Sequence, residues 1–312
     1  MRIRRRHFLF LGGLSGFGLA YLINTLRGRT IENTTTSLAV SSSSTKTSES
    51  LAISSQELLL RFVAVADTGT GAQGQDDVAK AMANYQAEHP FNLSVLAGDN
   101  IYNDGEIEKI SAVFEQPYQT LLKQGVKFYA CLGNHDVRTD NGEPQIRYPG
   151  FNMGGRYYTF RRAAVQFFAL DTNQNNHWKA QLVWLEQQLS NSNAPWKIVF
   201  GHHPIYSSGF YGVNQKLVRD FTPLFQKHGV QLYISGHDHN YERTHSIKGT
   251  TYLICGAGAG TRPVGRSAWT ATSASRLSFA ALEVYPDRIA IRGIGTDNKA
   301  FDQGVIQLHS TS

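Results

Sequence analysis

Leu58-Leu59-Leu60-Arg61-Phe62-Val63-Ala64-Val65-Ala66-Asp67-Thr68-Gly69 is an apolar run that stops on an acid, a hydroxyl and a glycine. Residues 58–66 have the length and composition of a strand buried on both faces, and Asp-Thr-Gly is turn chemistry. The pattern returns. A helical stretch over 76–88, closed by His89-Pro90, leads to a second apolar run at 93–97 that ends in Gly98-Asp99-Asn100-Ile101-Tyr102. A helix over 106–123 then leads to a third run, 127–132, ending in Gly133-Asn134-His135. Such alternation predicts parallel pairing through right-handed crossovers. Further on, 157–161 and 164–170 read as a hairpin, and 177–190 as an amphipathic helix with Leu182, Leu185 and Leu189 on one face. Strands at 196–200 and 231–234, separated by a helix over 214–226, end in Gly201-His202 and Gly236-His237-Asp238-His239. A strand-rich tail fills 251–309. The expected fold is α/β: a four-layer α/β/β/α sandwich of two mixed sheets flanked by helices, over residues 58–312 and without internal repeats.

Composition narrows the function classes. Of 312 residues, 41% are hydrophobic, with 17 Phe, 14 Tyr and 4 Trp, which excludes a disordered or collagen-like chain. Two cysteines exclude a disulfide scaffold and a four-thiolate metal site. The formal charge of +6 invites a polyanion, but residues 1–57 hold seven Lys/Arg against three Asp/Glu. The other 255 residues keep 23 basic against 21 acidic side chains, which is not a nucleic-acid surface.

The N-terminus reads as an address. Arg4-Arg5-Arg6-His7-Phe8-Leu9-Phe10 precedes an apolar stretch to Ile23, short for a spanning helix and suited to a signal-peptide core. Arg5-Arg6-His7-Phe8-Leu9 resembles the twin-arginine signal, which exports proteins already folded. Residues 1–28 are therefore expected to be a twin-arginine-like signal or an N-terminal membrane anchor. Between Thr30 and Ser55, 15 of 26 residues are Ser or Thr and none is aromatic, so 29–57 is expected to be a flexible linker. The expected location is periplasmic or extracellular, free or tethered to a membrane.

Five strand ends carry side chains able to bind a metal: Asp67, Asp99 with Tyr102, Asn134 with His135, His202, and His237 with His239. In open α/β sheets ligands gather at the carboxyl ends of strands, so turns spread over 173 positions can converge on one spot. Carboxylates, a phenol, an amide oxygen and imidazoles, without a thiolate, suit iron, zinc or manganese. Each cluster alone is ordinary turn chemistry; the ordered set is specific.

That set resembles the purple acid phosphatases, in particular their compact single-domain type, within the calcineurin-like metallophosphoesterase superfamily. The likeness extends to Phe62–Asp67, to Leu170-Asp171-Thr172 ahead of Gln181-Leu182-x-Trp184-Leu185, and to Tyr252–Gly258. Two details place it within that superfamily. Position 69 is Gly where relatives have a ligating His in Asp-x-His, and Tyr102 supplies a phenol where most have no ligand. By resemblance, a first ion, Fe(III), takes Asp67, Asp99, Tyr102 and His239. A second, Fe(II), Zn(II) or Mn(II), takes Asp99, Asn134, His202 and His237.

The implied activity is an exported binuclear-metal acid phosphatase that hydrolyses small phosphate monoesters through metal-activated hydroxide. His135 is the candidate for protonating the leaving group or stabilising the transition state. Relatives often carry another catalytic His where this chain has Tyr211, so that role is expected to be vacant or to pass to His203, Tyr206 or Tyr211 as residues that meet the substrate. The readings set against this one are a phosphodiesterase or nucleotidase with two divalent ions, and a tethered binding protein with a relict metal fold. Asp171 is expected to cap its turn, Tyr241-Glu242-Arg243 to form a buried ion pair, and Cys131 and Cys255 to be buried free thiols.

Overall fold

A computed structural model describes residues 57–174 and 177–308. The leader at 1–28 and the Ser/Thr-rich linker, apart from Glu57, lie outside the described residues. Among the described residues no helix is long and apolar enough to cross a membrane.

The chain opens with β1 (Leu60–Val65), α1 (Gln73–Glu88), β2 (Leu93–Leu96), the short α2 (Gln119–Lys123) and β3 (Lys127–Ala130). Helix α1 stops at His89, because the residue before Pro90 is sterically pushed out of helical geometry. The helix expected over 106–123 is broken. It resolves into a 3-10 turn at Ile107–Lys109, a π turn at Ser111–Glu115 and α2. Pro117 sits in the gap, where it lacks an N–H and its ring clashes with the preceding turn. Beyond a short α3 (Glu143–Arg147) come the hairpin β4 (Tyr158–Arg162) and β5 (Val165–Ala169), then α4 (Trp178–Asn191), β6 (Trp196–Phe200), α5 (Gln215–His228) and β7 (Leu232–Ser235). The tail holds β8 (Tyr241–Thr244), β9 (Thr251–Cys255), β10 (Thr270–Ala274), β11 (Ser278–Val284), β12 (Arg288–Gly295) and β13 (Ala300–Gln307).

These strands build two mixed sheets. One runs β13-β12-β11-β1-β2-β3, with β1, β2 and β3 parallel and the last three strands an antiparallel meander. The other runs β10-β8-β9-β7-β6-β5-β4, parallel from β5 through β9 and antiparallel at both edges.

Alternation along each strand separates three apolar layers. Phe62, Ala64, Leu93 and Val95 meet Phe167, Ile198 and Ile234 between the sheets. Val63 and Val65 face Val78, Met82 and Tyr85 of α1. On the far side, Phe168, Val199 and Tyr233 pack on Leu185 and Leu189 of α4 and Phe221 and Phe225 of α5. The order helix, sheet, sheet, helix is the four-layer sandwich expected. Cys131 and Cys255 are buried, free thiols in the inter-sheet layer.

Candidate functional site

The carboxyl ends of β1, β2, β3, β6 and β7 meet along the seam between the sheets. Main-chain bonds join the turns: Asp67 N–H donates to Gly98 O at 3.0 Å, Tyr102 N–H to Gly69 O at 2.8 Å, and Gly236 N–H to His202 O at 2.9 Å. Asp67, Asp99 and His237 all have left-handed backbone, with φ of 57°, 53° and 66°. That region is costly for residues other than glycine and recurs where surrounding structure holds a functional side chain. A Cβ at Gly69 would stand 1.9 Å from Asn100 O, and one at Gly133 2.1 Å from Asp99 Oδ1. Position 69 therefore has no room for an imidazole.

All seven predicted donors come together, in two groups that share one oxygen. The Tyr102 hydroxyl oxygen lies 3.2 Å from Asp67 Oδ1, 3.0 Å from Asp99 Oδ2 and 3.3 Å from His239 Nε2, and the last is 3.4 Å from Asp67 Oδ1. His202 Nε2 lies 3.4 Å from the same Asp99 Oδ2, 3.1 Å from Asn134 Oδ1 and 3.1 Å from His237 Nδ1. Donors about 2.1 Å from a common ion stand about 3.0 Å apart at octahedral angles and about 3.4 Å apart at tetrahedral ones. Both groups have that spacing, so the residues present fit two ions bridged by Asp99. Asp99, His202 and His237 also form a compact three-ligand cluster.

Electrostatics and tautomers agree with this use. Burial opposes charge on Asp99, but His202 outweighs it and holds the carboxyl well below its usual range. Burial also opposes charge on His202, yet the Asp99 and Asp67 carboxylates push it up to about 9. His203 and His237 go the other way, to about 3 and about 2, through burial and the positive charge of His202. Neutral imidazole is the form that ligates a metal. His202 Nδ1 is 3.0 Å from Ala97 O, and a carbonyl only accepts, so Nδ1 carries a proton and Nε2 is the nitrogen that faces the donor group. Burial and the two nearby carboxylates raise the Tyr102 hydroxyl far above its ordinary pKa, so a compensating cation is needed for a phenolate there.

His135 lines the same space. Its main-chain N–H donates to Asp99 Oδ1 at 2.9 Å, which leaves Oδ2 to the two donor groups. Its Nδ1 donates to Asn103 O, so Nε2, 3.9 Å from Asp99 Oδ2, is the nitrogen able to exchange a proton. Its ring centre is 4.4 Å from that of Tyr102.

The three residues expected to meet substrate separate. Tyr211 stacks on His237, with ring centres 3.8 Å apart and planes 23° apart. The His203 ring centre is 4.5 Å from that of His237, and its Nδ1 pairs with Thr172 Oγ1 at 2.8 Å. Tyr206 instead packs on Tyr252 and Trp269, so its ring contacts lie outside the donor cluster. His237 and His239 do not share a face of an extended segment, since the left-handed turn at 237 sends them to different donor groups.

Two buried carboxylates escaped the sequence analysis. Asp136 accepts from the N–H groups of Asn100, Ile101 and Gly133 at 2.9, 3.0 and 2.7 Å and from Gln145 Nε2 at 3.1 Å, locking the β2 turn to the β3 turn. Asp238 accepts from Phe210 N–H at 3.1 Å, Tyr211 N–H at 3.3 Å and Ser207 Oγ at 2.5 Å. A signal existed: Asp238 lies inside a motif already singled out and Asp136 directly follows another, each one or two positions from a donor. Asp171 caps its turn as expected, accepting from Asn173 N–H at 2.9 Å, and pairs with Arg156 at 3.0 Å. Arg243 forms a buried ion pair, but its partner at 2.7 Å is Asp302 of β13, while Glu242 accepts from Ser208 and Thr270.

Comparison with known proteins follows the same line. A family model described as calcineurin-like phosphoesterase matches residues 60–241. Tartrate-resistant acid phosphatase type 5 of rabbit (Oryctolagus cuniculus) is 30% identical over 240 residues, spanning 64% of this chain and 73% of its own. Purple acid phosphatase 7 of Arabidopsis thaliana is 30% identical over 234 residues, spanning 64% and 70%. Two solved structures share the fold. Purple acid phosphatase PPD1 of yellow lupin (Lupinus luteus) superposes with a TM-score of 0.68 at 18% identity, covering 80% of this chain and 53% of its own. GAP50, the anchor in the inner membrane complex of Plasmodium, superposes at 0.70 with 21% identity, covering 81% and 90%. By motif, fold and donor geometry alike, the chain belongs to the calcineurin-like phosphoesterase family, with relatives among the tartrate-resistant and purple acid phosphatases.

Proposed function

We propose that this protein is an exported binuclear-metal acid phosphatase acting on small phosphate monoesters. The observation that carries the reading is the pair of four-donor groups joined through Asp99 Oδ2, one of which contains a phenol. Asp67, Asp99, Tyr102 and His239 would hold Fe(III), for which a hard anionic phenolate is the fitting donor. Asp99, Asn134, His202 and His237 would hold Fe(II), Zn(II) or Mn(II). When bound, the ions supply Lewis acidity, acidifying water and neutralising charge on the phosphoryl oxygens. The protein does the rest. Ala97 O and Asp99 orient His202, the His135 N–H steers Asp99, and His135 Nε2 gives its proton to the departing oxygen.

Export through the twin-arginine route fits such a site, because metals loaded into a folded domain cross the membrane with it. The fold alone does not separate an enzyme from a binding protein, since GAP50 shares it. An intact donor set supports the enzyme.

Metal analysis, an absorption spectrum and paired assays on p-nitrophenyl phosphate and bis(p-nitrophenyl) phosphate test the reading. We expect iron, a visible charge-transfer band, monoester preference at acidic to neutral pH, and loss of the band in Tyr102→Phe. A colourless protein with two divalent ions that prefers the diester would replace this reading with a phosphodiesterase.

A further inference from the structure

Arg262 stands beside the donor cluster without an acid to match it. Its loop leaves β9 and is tied to neighbouring turns at four points. Gly256 N–H donates to Asn240 O at 3.0 Å, Gly258 N–H to Ala66 O at 3.2 Å, Arg262 N–H to His239 O at 2.6 Å and Gly265 N–H to Ser208 O at 3.0 Å. The guanidinium Nη1 lies 3.3 Å from the Tyr211 hydroxyl oxygen and 3.4 Å from His237 O. Among the described residues, no carboxylate comes within ion-pair distance of Arg262, and its Nε and Nη2 have no hydrogen-bond partner. The side chain is half-buried.

The group that holds it is itself fixed. Tyr211 is stacked on His237, and Asp238 accepts its N–H from within the ligand-bearing turn. The result is a permanent cation on a rigid mount. An arginine fork matches two oxygens of a phosphate or carboxylate, and it stays charged at any pH at which the fold survives. Its contacts are the phenol and the main chain of His237, not the oxygen and nitrogen donors. It therefore stands one side chain outward from the place where phosphorus would be held.

We propose that Arg262, presented by Tyr211, is a specificity-determining residue that binds a second anionic group on the leaving side of the substrate. It favours diphosphates and phosphorylated acids over esters whose leaving group is uncharged. The inference rests on the phosphatase reading above and adds a substrate class to it.

The test compares kcat/KM for pyrophosphate and phenyl phosphate in metal-loaded wild-type protein, Arg262→Gln, Arg262→Lys and Tyr211→Phe, with inhibition by inorganic phosphate measured alongside. Losing a charge-assisted hydrogen bond from a half-buried site should lower the pyrophosphate-to-phenyl phosphate ratio of Arg262→Gln about 10- to 100-fold, mainly through KM. Arg262→Lys should recover part of that ratio, and Tyr211→Phe should lower it by less than Arg262→Gln does. An unchanged ratio in Arg262→Gln overturns the proposal. So does an equal loss on both substrates with a matching rise in the phosphate inhibition constant, which would assign Arg262 to the transferred phosphoryl group. Metal-replete wild-type protein that hydrolyses neither substrate overturns the phosphatase reading itself.

Discussion

Asp99 serves both donor groups because its two oxygens are occupied separately. Oδ1 takes the His135 main-chain N–H, and Oδ2 is left to Tyr102 on one side and His202 on the other. That division separates the His135 backbone from its side chain in function. In His135→Ala the N–H that orients Asp99 survives, so metal content should equal that of wild type. Removing the imidazole should lower kcat on alkyl phosphates by about 10²–10⁴-fold, the usual worth of a placed general acid. The loss on p-nitrophenyl phosphate, whose leaving group needs little help, should be smaller. Metal analysis with steady-state rates on both substrates checks this; wild-type turnover of an alkyl phosphate would remove His135 from the proton-donor role. Convergence of the seven donors was legible in the sequence because strand-end turns follow a rule of topology. Arg262 was not, because nothing in Gly260-Thr261-Arg262-Pro263 says which turns its loop folds against.

At the level of elements, what was misread shares one cause. Periodicity places apolar residues, but it does not register where a polar side chain replaces main-chain pairing. The stretch 106–123 keeps its apolar spacing yet breaks around Pro117, and the break lets Val113 O meet the amide of buried Gln75. Asp136 does for two turns what a strand ladder does for strands, accepting three main-chain N–H groups and the side-chain amides of Asn100 and Gln145. Asp136→Ala should leave these donors buried and unpaired, and at about 1–3 kcal/mol for each unsatisfied group the loss of stability should be roughly 4 kcal/mol. Chemical denaturation of the metal-free protein measures it. A midpoint within error of wild type would show that the β2 and β3 turns hold without the clamp.

For the whole molecule, the decisive fact is that the site belongs to neither sheet. Asp67, Asp99 and Asn134 extend from one sheet, and His202, His237 and His239 from the other. Away from the site, the sheets are joined by Arg243 of β8 and Asp302 of β13 at 2.7 Å, with the Tyr241 hydroxyl donating to the same carboxylate at 2.7 Å. Burial alone would raise the Asp302 pKa, but Arg243 and Tyr241 bring it below its ordinary value. A carboxyl lowered in the folded state stabilises fully above its unfolded pKa, about 4, and loses that contribution as pH falls through the folded value. Asp302→Ala should therefore cost about 3 kcal/mol at pH 7, typical of breaking a buried pair. The gap to wild type should close below about pH 4, which thermal melts across pH would display. A constant gap would mean that the side chain acts by packing alone. The shared oxygen of Asp99 has a further consequence for maturation. Because both ion pockets draw on it and each is closed by residues of the opposite sheet, neither pocket exists in a half-folded chain. On the proposed reading, metal would then be held only once the last long-range contacts close, and a chain threaded through a membrane unfolded would have to acquire its ions on the far side, in competition with everything else there.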